Sequence, residues 1–196
     1  MVLVDGVACR VTKSTLEEIN CVTGSADAVS ISDISQPGNP GLTYTRKDPS
    51  NDGNPWWNLR TDDSVEVAEK KLITAFEHGA VSSQHTRDGM TSAGWFKPPA
   101  TGRYRFLMSC DDACQVFLNT DKPWDKSNPE EATLTQINVR HSWTEWRAYF
   151  MPVVETSNHK TFSDWFDLEE GQFYKIQGYH MQYTGGESYT VAVEFE

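Results

Sequence analysis

The sequence contains no run of about 18 apolar residues, the length that a membrane-spanning helix needs, so it predicts no such helix within these 196 residues. The opening residues, MVLVD, lack the charged and apolar regions of a signal peptide. We therefore expect the chain to be a fragment of a longer protein whose signal and anchor lie elsewhere. Asn-x-Ser/Thr sequons are also absent, so we expect no N-glycosylation within the chain.

Basic residues are scarce compared with acidic ones. The chain has 17 Lys and Arg against 28 Asp and Glu, which gives a net charge of −11. An acidic surface repels phosphate backbones, so nucleic acid is disfavoured as a partner. Hydrophobic residues make up 38% of the chain and aromatic residues 12%, enough for a packed core. The length suits one large all-β domain, or one domain with part of another.

The sequence shows no recognisable arrangement of catalytic residues. The five histidines are His78, His85, His141, His159 and His180. Their spacing matches neither a metal-ligand motif nor a Ser/His/Asp set, and a lone histidine is more often an ordinary surface or core residue. No two carboxylates can be selected as a glycosidase pair. We therefore predict that the chain is not an enzyme.

Only four cysteines are present, and they fall as two close pairs, Cys9 with Cys21 and Cys110 with Cys114. CxxC spacing and nearby paired histidines are missing, which disfavours a zinc site at the cysteines. Four free thiols in a cytosolic core are the alternative to disulfide bonds. Of the three connectivities, we favour the two local bridges, which would place the protein outside the cytosol.

Strand and turn signals divide the chain into three parts. Residues 1–24 contain two short strands, too little chain for an independent core. Residues 25–40 have the composition of a linker. A new unit begins at residue 41, and residues 62–80 within it fit neither a helical nor a strand period cleanly. Beyond residue 94 the pattern is nearly all strand. Beyond residue 120, strands are predicted at 133–139, 146–150, 162–168, 174–183 and 188–195. This spacing of short strands and turns indicates an all-β sandwich or barrel.

The most informative segment is GWFKPPATGRYRFLMSCDDACQVFLN, residues 94–119. An alternating strand leads to the adjacent Asp111 and Asp112, and a second strand follows at once. The two acids are therefore expected at the rim of a sandwich, where loop carboxylates can bind Ca²⁺. The alternative is that they end the strand and accept turn hydrogen bonds from backbone amides.

Several segments occur in the order found in the protective-antigen (PA-14) domain family. They are GWFKPPATGRYRF, CDDACQVFLN, LEEGQFYKI and GGESYTVAVEF. Residues 41–196 resemble a PA-14 domain, and this implies a PA-14-type β-sandwich or barrel. In the lectin branch of the family, an acidic pair joined by a cis peptide bond binds Ca²⁺, and the ion bridges to sugar hydroxyls. The matching residues here are Asp111 and Asp112.

The lectin pattern also requires ligands from a second loop, typically an asparagine. The nearby oxygen-bearing side chains are those of Asn119, Asp121, Asp125 and Asn128. Their spacing selects none of them. Trp124, Trp143 and Trp146 would add a sugar-stacking surface if they were exposed, although tryptophans are more often buried. We include Trp124 as a ligand-binding candidate.

The segment that contains Cys9 and Cys21 is similar to the end of an immunoglobulin-like plexin and transcription-factor (IPT/TIG) domain. By this resemblance, residues 1–24 are the C-terminal strands of such a domain and residues 25–40 are a linker. An IPT/TIG domain followed by a PA-14 domain resembles the fibrocystin family of large single-pass cell-surface proteins.

This resemblance implies a non-catalytic extracellular module for adhesion or surface-coat assembly. Its partners would be extracellular proteins or glycans, including homotypic contacts with other copies of the protein. It implies no nucleic-acid partner, and contact with the membrane only through parts of the full protein outside this chain. The alternative function is a calcium-dependent, lectin-like carbohydrate-binding domain, with Ca²⁺ as its cofactor.

Overall fold

Every regular element in the described part of the chain is a β-strand, as the sequence predicts. The computed structural model describes residues 2–4, 7–14, 19–23, 41–47, 65–82, 87–121, 123–125, 133–149 and 159–196. For residues 2–4, 7–14, 19–23, 79–82 and 159 the description covers the backbone alone. Within these residues no helix has the length and apolarity to cross a membrane.

Three strands at the start of the chain form a small antiparallel sheet of their own. They are β1 (Val2–Val4), β2 (Val7–Ser14) and β3 (Ile19–Thr23), in the order β1-β2-β3. The sequence pattern predicts two strands here; the structure has two strands, β1 and β2, where the pattern predicts the first one. The assignments of residues 1–24 to an IPT/TIG domain and of residues 25–40 to a linker stay predictions, and residues 25–40 lie outside the described residues.

Eleven further strands build two larger sheets. They are β4 (Leu42–Lys47), β5 (Val67–Ile73), β6 (Glu77–Ser82), β7 (Asp88–Phe96), β8 (Gly102–Asp111), β9 (Ala113–Leu118), β10 (Thr135–Arg140), β11 (His159–Lys160), β12 (Phe166–Leu168), β13 (Tyr174–Gln182) and β14 (Gly186–Phe195). One sheet has seven strands in the order β11-β10-β9-β13-β7-β4-β5, and the other has four in the order β12-β8-β14-β6. All described pairings between neighbouring strands are antiparallel.

The hydrophobic core lies between the two larger sheets. Phe106 and Met108 of β8 enter it from the four-stranded sheet, and Val116, Leu118 and Ile176 enter it from the seven-stranded sheet. In β7, buried residues alternate with partly exposed ones, which is the pattern of a strand with one face on a core. Each fully buried large apolar side chain contributes about 1.5–3 kcal/mol to stability. The architecture is therefore a β-sandwich.

Three segments differ from the sequence prediction or settle an ambiguity in it. Of the strand predicted at residues 162–168, only Phe166–Leu168 forms a strand. Residues 62–80, which are ambiguous in sequence, supply β5 and β6. The strand predicted at residues 146–150 is wrong, because residues 146–149 form a turn in which Ala148 N–H donates to the Glu145 carbonyl at 3.0 Å. Arg147 there has a φ of 57°, which a strand does not allow. Aromatic residues at 146 and 149 favour a strand by composition alone.

Candidate functional site

Asp111 and Asp112 lie where the chain crosses from one sheet of the sandwich to the other. Asp111 is the last residue of β8 in the four-stranded sheet, and β9 of the seven-stranded sheet begins at Ala113. Asp112 is thus the single residue of this first crossing. The peptide bond between the two acids is cis, the arrangement that the PA-14 resemblance implies for a calcium-binding pair. The pair occupies the rim of the sandwich, as the sequence predicts.

A disulfide bond between Cys110 and Cys114 encloses the acid pair in a short ring. Both cysteines are fully buried, and the bond joins the end of β8 to the start of β9. It therefore ties the two sheets together beside the crossing. This confirms one of the two predicted bridges. The side chains of Cys9 and Cys21 lie outside the described residues, so their bridge stays a prediction.

Asp112 holds a second crossing of the chain in place. Residues 183–185 lead from β13 of the seven-stranded sheet to β14 of the four-stranded sheet. Oδ2 of Asp112 accepts a hydrogen bond from Tyr183 N–H at 2.6 Å and a longer one from Thr184 N–H at 3.3 Å. The Asp112 N–H donates to the Met181 carbonyl at 3.1 Å. Asp112 thus does accept bonds from backbone amides, but those of the second crossing rather than its own turn.

The surroundings of Asp111 destabilise the ionised form of its carboxyl. Burial raises the pKa of its carboxyl to about 6, and the charge of Asp112 and a side-chain hydrogen bond with Asp112 add to the shift. Gly186 leaves room beside it, since a Cβ at that position would lie 3.1 Å from Asp111 Oδ2. A divalent cation held by both carboxylates would offset their mutual repulsion. Carboxylate oxygens on irregular backbone are the ligands that Ca²⁺ prefers, so these residues fit the ion that the resemblance implies.

A loop at residues 141–149 packs against the acid pair through Thr144. The Thr144 N–H donates to the Cys110 carbonyl at 2.6 Å, and its Oγ1 accepts from Cys110 N–H at 2.9 Å. Arg140, which is buried at the end of β10, donates to the carbonyls of Ser142 at 2.9 Å and Trp143 at 3.3 Å. The loop is therefore fixed beside the acid pair, because Cys110 immediately precedes Asp111.

This loop displays two tryptophans to solvent. Trp143 is 57% exposed and Trp146 is 45% exposed. The Arg147 guanidinium lies 4.4 Å from the Trp146 ring centroid and forms an ion pair with Glu77 at 2.8 Å, which anchors the loop to β6 as well. The two rings are thus presented on an anchored loop at the same end of the sandwich as the acid pair.

Other candidates from the sequence lie elsewhere. Asn119 follows the far end of β9, a strand about 20 Å long at 3.3–3.4 Å per residue, and it is buried with its Oδ1 accepting from Asp121 N–H at 3.2 Å. Trp124 N–H donates to the Phe173 carbonyl at 2.7 Å, and its ring packs edge-on against Trp95. The structure therefore brings neither Asn119 nor Trp124 together with the acid pair. Asn128 lies outside the described residues.

The structure also brings together two histidines that the sequence does not connect. His78 Nε2 lies 2.9 Å from His180 Nδ1, although 102 positions separate the residues. Burial lowers the pKa of both imidazoles, that of His180 to about 4. His180 also stacks on the ring of Tyr189, at a centroid distance of 5.5 Å. No spacing rule could have paired these histidines, because the pairing depends on which faces of β6 and β13 point inward.

Solved structures match this architecture, whereas no protein-family model and no curated protein sequence matches the chain. The epithelial adhesin 6 A domain of Candida glabrata, in complex with Galβ1-3GlcNAc, has a TM-score of 0.54 at 16% identity over 80% of each chain. The epithelial adhesin 9 A domain of the same organism, in complex with Galβ1-4GlcNAc, has a TM-score of 0.53 at 14% identity over 81% of this chain and 84% of that one. The chain shares the fold of these adhesin domains.

The same fold occurs inside a larger enzyme. A β-glucosidase from Kluyveromyces marxianus matches 84% of this chain but only 18% of its own length, with a TM-score of 0.51 at 14% identity. The adhesin A domains are PA-14-type domains, so the PA-14-type fold expected from the sequence is confirmed. At these identities the likeness concerns the fold alone.

Proposed function

We propose that this chain is a non-catalytic extracellular adhesion module that binds glycans through a calcium ion held by Asp111 and Asp112. The observation that carries the proposal is the position of the two carboxylates at the first crossing. A disulfide bond encloses them, Asp112 is fixed to the second crossing, and the Asp111 carboxyl faces the charge of Asp112. Such a pair is preorganised for a hard cation, because the protein has already brought the like charges together.

The roles of the two acids differ. Asp112 already accepts two backbone hydrogen bonds with Oδ2, so it would hold both crossings in place and offer its remaining oxygen capacity to the ion. Asp111 is the acid whose pKa is raised to about 6, so its ionised form gains most from a cation. Bound calcium would supply open positions for vicinal hydroxyls of a sugar.

Exposed aromatic rings support a glycan as the ligand. Trp143 and Trp146 stand on the loop that Thr144 fixes to Cys110, immediately before the acid pair. An aromatic face packs well against the apolar face of a sugar ring, while the ion takes its hydroxyls. The adhesin domains that share this fold were solved with galactose-containing disaccharides, which makes such sugars the first to test.

Binding fits the site better than catalysis does. The two carboxylates of glycosidases stand apart on either side of the scissile bond, at about 5–10 Å. Asp111 and Asp112 are adjacent in the chain and their charges act on each other, so they are placed to hold a cation rather than to flank a bond. The glucosidase neighbour contains this fold as a minor part of its length.

The biological setting we propose rests on the sequence resemblance to the fibrocystin family. In this proposal the CDDAC and GWFKPPATG segments fit fibrocystin-L, the large single-pass coat protein of hair-cell stereocilia, better than the yeast adhesins. The module would then belong to a cell-surface coat and contribute adhesion or coat assembly. The disulfide bond between Cys110 and Cys114 supports an oxidising, extracellular location.

Glycan binding is tested by surface plasmon resonance on immobilised Galβ1-3GlcNAc and lactose, in calcium and then in EDTA. We expect binding in calcium, its loss in EDTA, and at least a tenfold loss in Trp143→Ala or Trp146→Ala, since stacking contacts contribute about 0.5–1.5 kcal/mol beyond the area they bury. Trp124→Ala is the matched control and should bind as the wild type does.

The two functional readings give different results. Calcium-independent capture, or loss of binding in Trp124→Ala alone, would contradict a site at the acid pair. Absence of glycan binding together with self-association in analytical ultracentrifugation would favour protein contacts between copies instead.

A further inference from the structure

A second group of potential metal ligands lies inside the sandwich, behind the acid pair. His78 of β6, His180 of β13 and Glu187 of β14 each offer one ligand atom, and these atoms all lie within 4.8 Å of one another. His78 and Glu187 come from the four-stranded sheet, whereas His180 comes from the seven-stranded sheet. The three potential ligands therefore converge from both sheets on one place between them.

Hydrogen bonding determines which nitrogen of His180 is free for a metal. Nε2 of His180 lies 2.6 Å from the Asp111 carbonyl oxygen, and because a carbonyl can only accept, Nε2 carries the proton. Nδ1 therefore has the lone pair, and it faces His78 Nε2 at 2.9 Å. A histidine that donates its other N–H to a backbone carbonyl is the usual outer arrangement of a metal ligand.

The protonation state and the burial of the three side chains also suit metal binding. His180 is buried and His78 is partly buried, and a lowered pKa keeps both imidazoles neutral near pH 7, the form of histidine that binds metals. Nδ1 of His78 is also buried and has no hydrogen-bond partner within the described part of the chain. Glu187 is only 9% exposed and brings the negative charge that two neutral imidazoles lack. The sulfur of Met90, a buried residue, lies 3.3 Å from His180 Nδ1.

We propose that His78, His180 and Glu187 form a binding site for a divalent first-row transition metal, with zinc as the ion it takes. Two histidines and a carboxylate are an established zinc ligand set, whereas Ca²⁺ requires six to eight oxygens. Two nitrogens on one tetrahedral zinc lie roughly 3.4 Å apart, given Zn–N distances of about 2.0–2.1 Å. In the metal-free protein His78 Nε2–H donates to His180 Nδ1, so zinc binding requires the His78 proton to move to its unpartnered Nδ1. The facing nitrogens, now 2.9 Å apart, must also separate by about half an ångström.

The test is a titration of the calcium-free protein with Zn²⁺, followed by calorimetry and by thermal unfolding. We expect one zinc per chain and a raised melting temperature. Glu187→Gln keeps the shape of the side chain and removes its charge, so it should weaken zinc binding at least tenfold. Glu169→Gln, an exposed carboxylate next to β12, is the matched control and should leave zinc binding unchanged. Asp111→Asn should also leave zinc binding within about twofold, because the proposed ligands do not include its carboxylate.

Long-range ¹⁵N–¹H spectra of the histidine rings give a readout that needs no variant. Zinc should shift His180 Nδ1 and His78 Nε2 while His180 Nε2 keeps its proton. Unchanged ring spectra in saturating zinc would overturn the proposal. So would full zinc affinity in a folded Glu187→Gln protein, or zinc binding that Asp111→Asn abolishes, since the ion would then lie at the rim.

Discussion

Asp111 and Asp112 are adjacent and chemically identical, yet the fold gives them different surroundings. The Asp112 carboxylate accepts hydrogen bonds from two backbone amides, whereas burial and the neighbouring charge raise the pKa of Asp111 to about 6. The difference arises because the chain passes from one sheet to the other within a single residue. At the scale of residues, Asp112 therefore anchors the second crossing, whereas the ionised form of Asp111 is destabilised by burial and by the charge of Asp112.

The raised pKa of Asp111 makes the free energy of unfolding depend on pH. Because the pKa of Asp111 is higher in the folded state than the ordinary value of 3.8, the folded state binds more protons between pH 4 and 6, and stability falls as the pH rises through that window. Asp111→Asn removes this loss. In EDTA at pH 7 the variant should be more stable than the wild type by up to about 1 kcal/mol, a figure reduced for solvent screening of a partly exposed group.

Urea unfolding of both proteins between pH 4 and pH 7 checks this prediction. The advantage of Asp111→Asn should shrink towards pH 4, where Asp111 is protonated in the wild type. Asp167→Asn, at an exposed position on β12, is the control and should show no such trend. A variant less stable than the wild type at pH 7 in EDTA would contradict the account of Asp111.

At the scale of elements, the loop at residues 141–149 depends on one threonine. Thr144→Val keeps the size of the side chain but leaves the buried Cys110 N–H without its 2.9 Å acceptor. An unsatisfied buried amide costs about 1–3 kcal/mol, so we expect that loss in the free energy of unfolding. Hydrogen exchange should also become faster in the loop.

Thr135→Val, at the exposed start of β10, is the matched control and should change stability by less than about 0.5 kcal/mol. Equal losses in the two valine variants would show that Thr144 has no special anchoring role. Retained stability in Thr144→Val would show the same.

The disulfide bond between Cys110 and Cys114 also stabilises this end of the sandwich, in addition to the hydrogen bonds of Thr144. Replacing both Cys110 and Cys114 by alanine opens a short ring, and the loop-entropy relation gives a loss of about 2 kcal/mol. Denaturant unfolding of the double variant measures it. Any further loss when the double variant is treated with reductant reports the predicted bridge between Cys9 and Cys21. An unchanged unfolding midpoint in the double variant would contradict the stabilising role.

Local sequence patterns predict one part of this site and not the other. The rim position of Asp111 and Asp112 follows from two strands that leave one residue between them, and that information is local. The contact of Asp112 with residues 183–185 joins segments about 70 positions apart, so it depends on strand order rather than on spacing. His78 and His180 meet for the same reason.

Strand prediction fails where composition and backbone disagree. Residues 146–149 carry aromatic side chains typical of strands, but Arg147 adopts a positive φ and the segment turns. Residues 62–80 mix charged and apolar positions because β5 lies at the edge of its sheet with mostly exposed residues, so no clean alternation results. The central strands β8 and β13, which bury one face, are predicted well.

At the scale of the whole molecule, one end of the sandwich collects the features that suit ligand binding. Two crossings between the sheets, the disulfide bond, the anchored loop and the exposed tryptophans all meet there. The opposite end carries Trp124 and Asn119, which are held by backbone contacts and packing. The fold shared with the adhesin domains leaves the ligand open, and the chemistry of this end makes calcium and a sugar the first candidates.

Calcium titration of the folded protein, by calorimetry with parallel thermal unfolding, tests the central proposal most directly. We predict one ion per chain, and at 100 times the dissociation constant a gain of about 2.7 kcal/mol, which is a rise of roughly 5–10 °C in melting temperature. Asp112→Asn should weaken binding at least tenfold, because it removes a ligand charge, while Asp167→Asn should bind as the wild type does. No heat and no shift at millimolar calcium, or full affinity in Asp112→Asn, would contradict a calcium site at the acid pair.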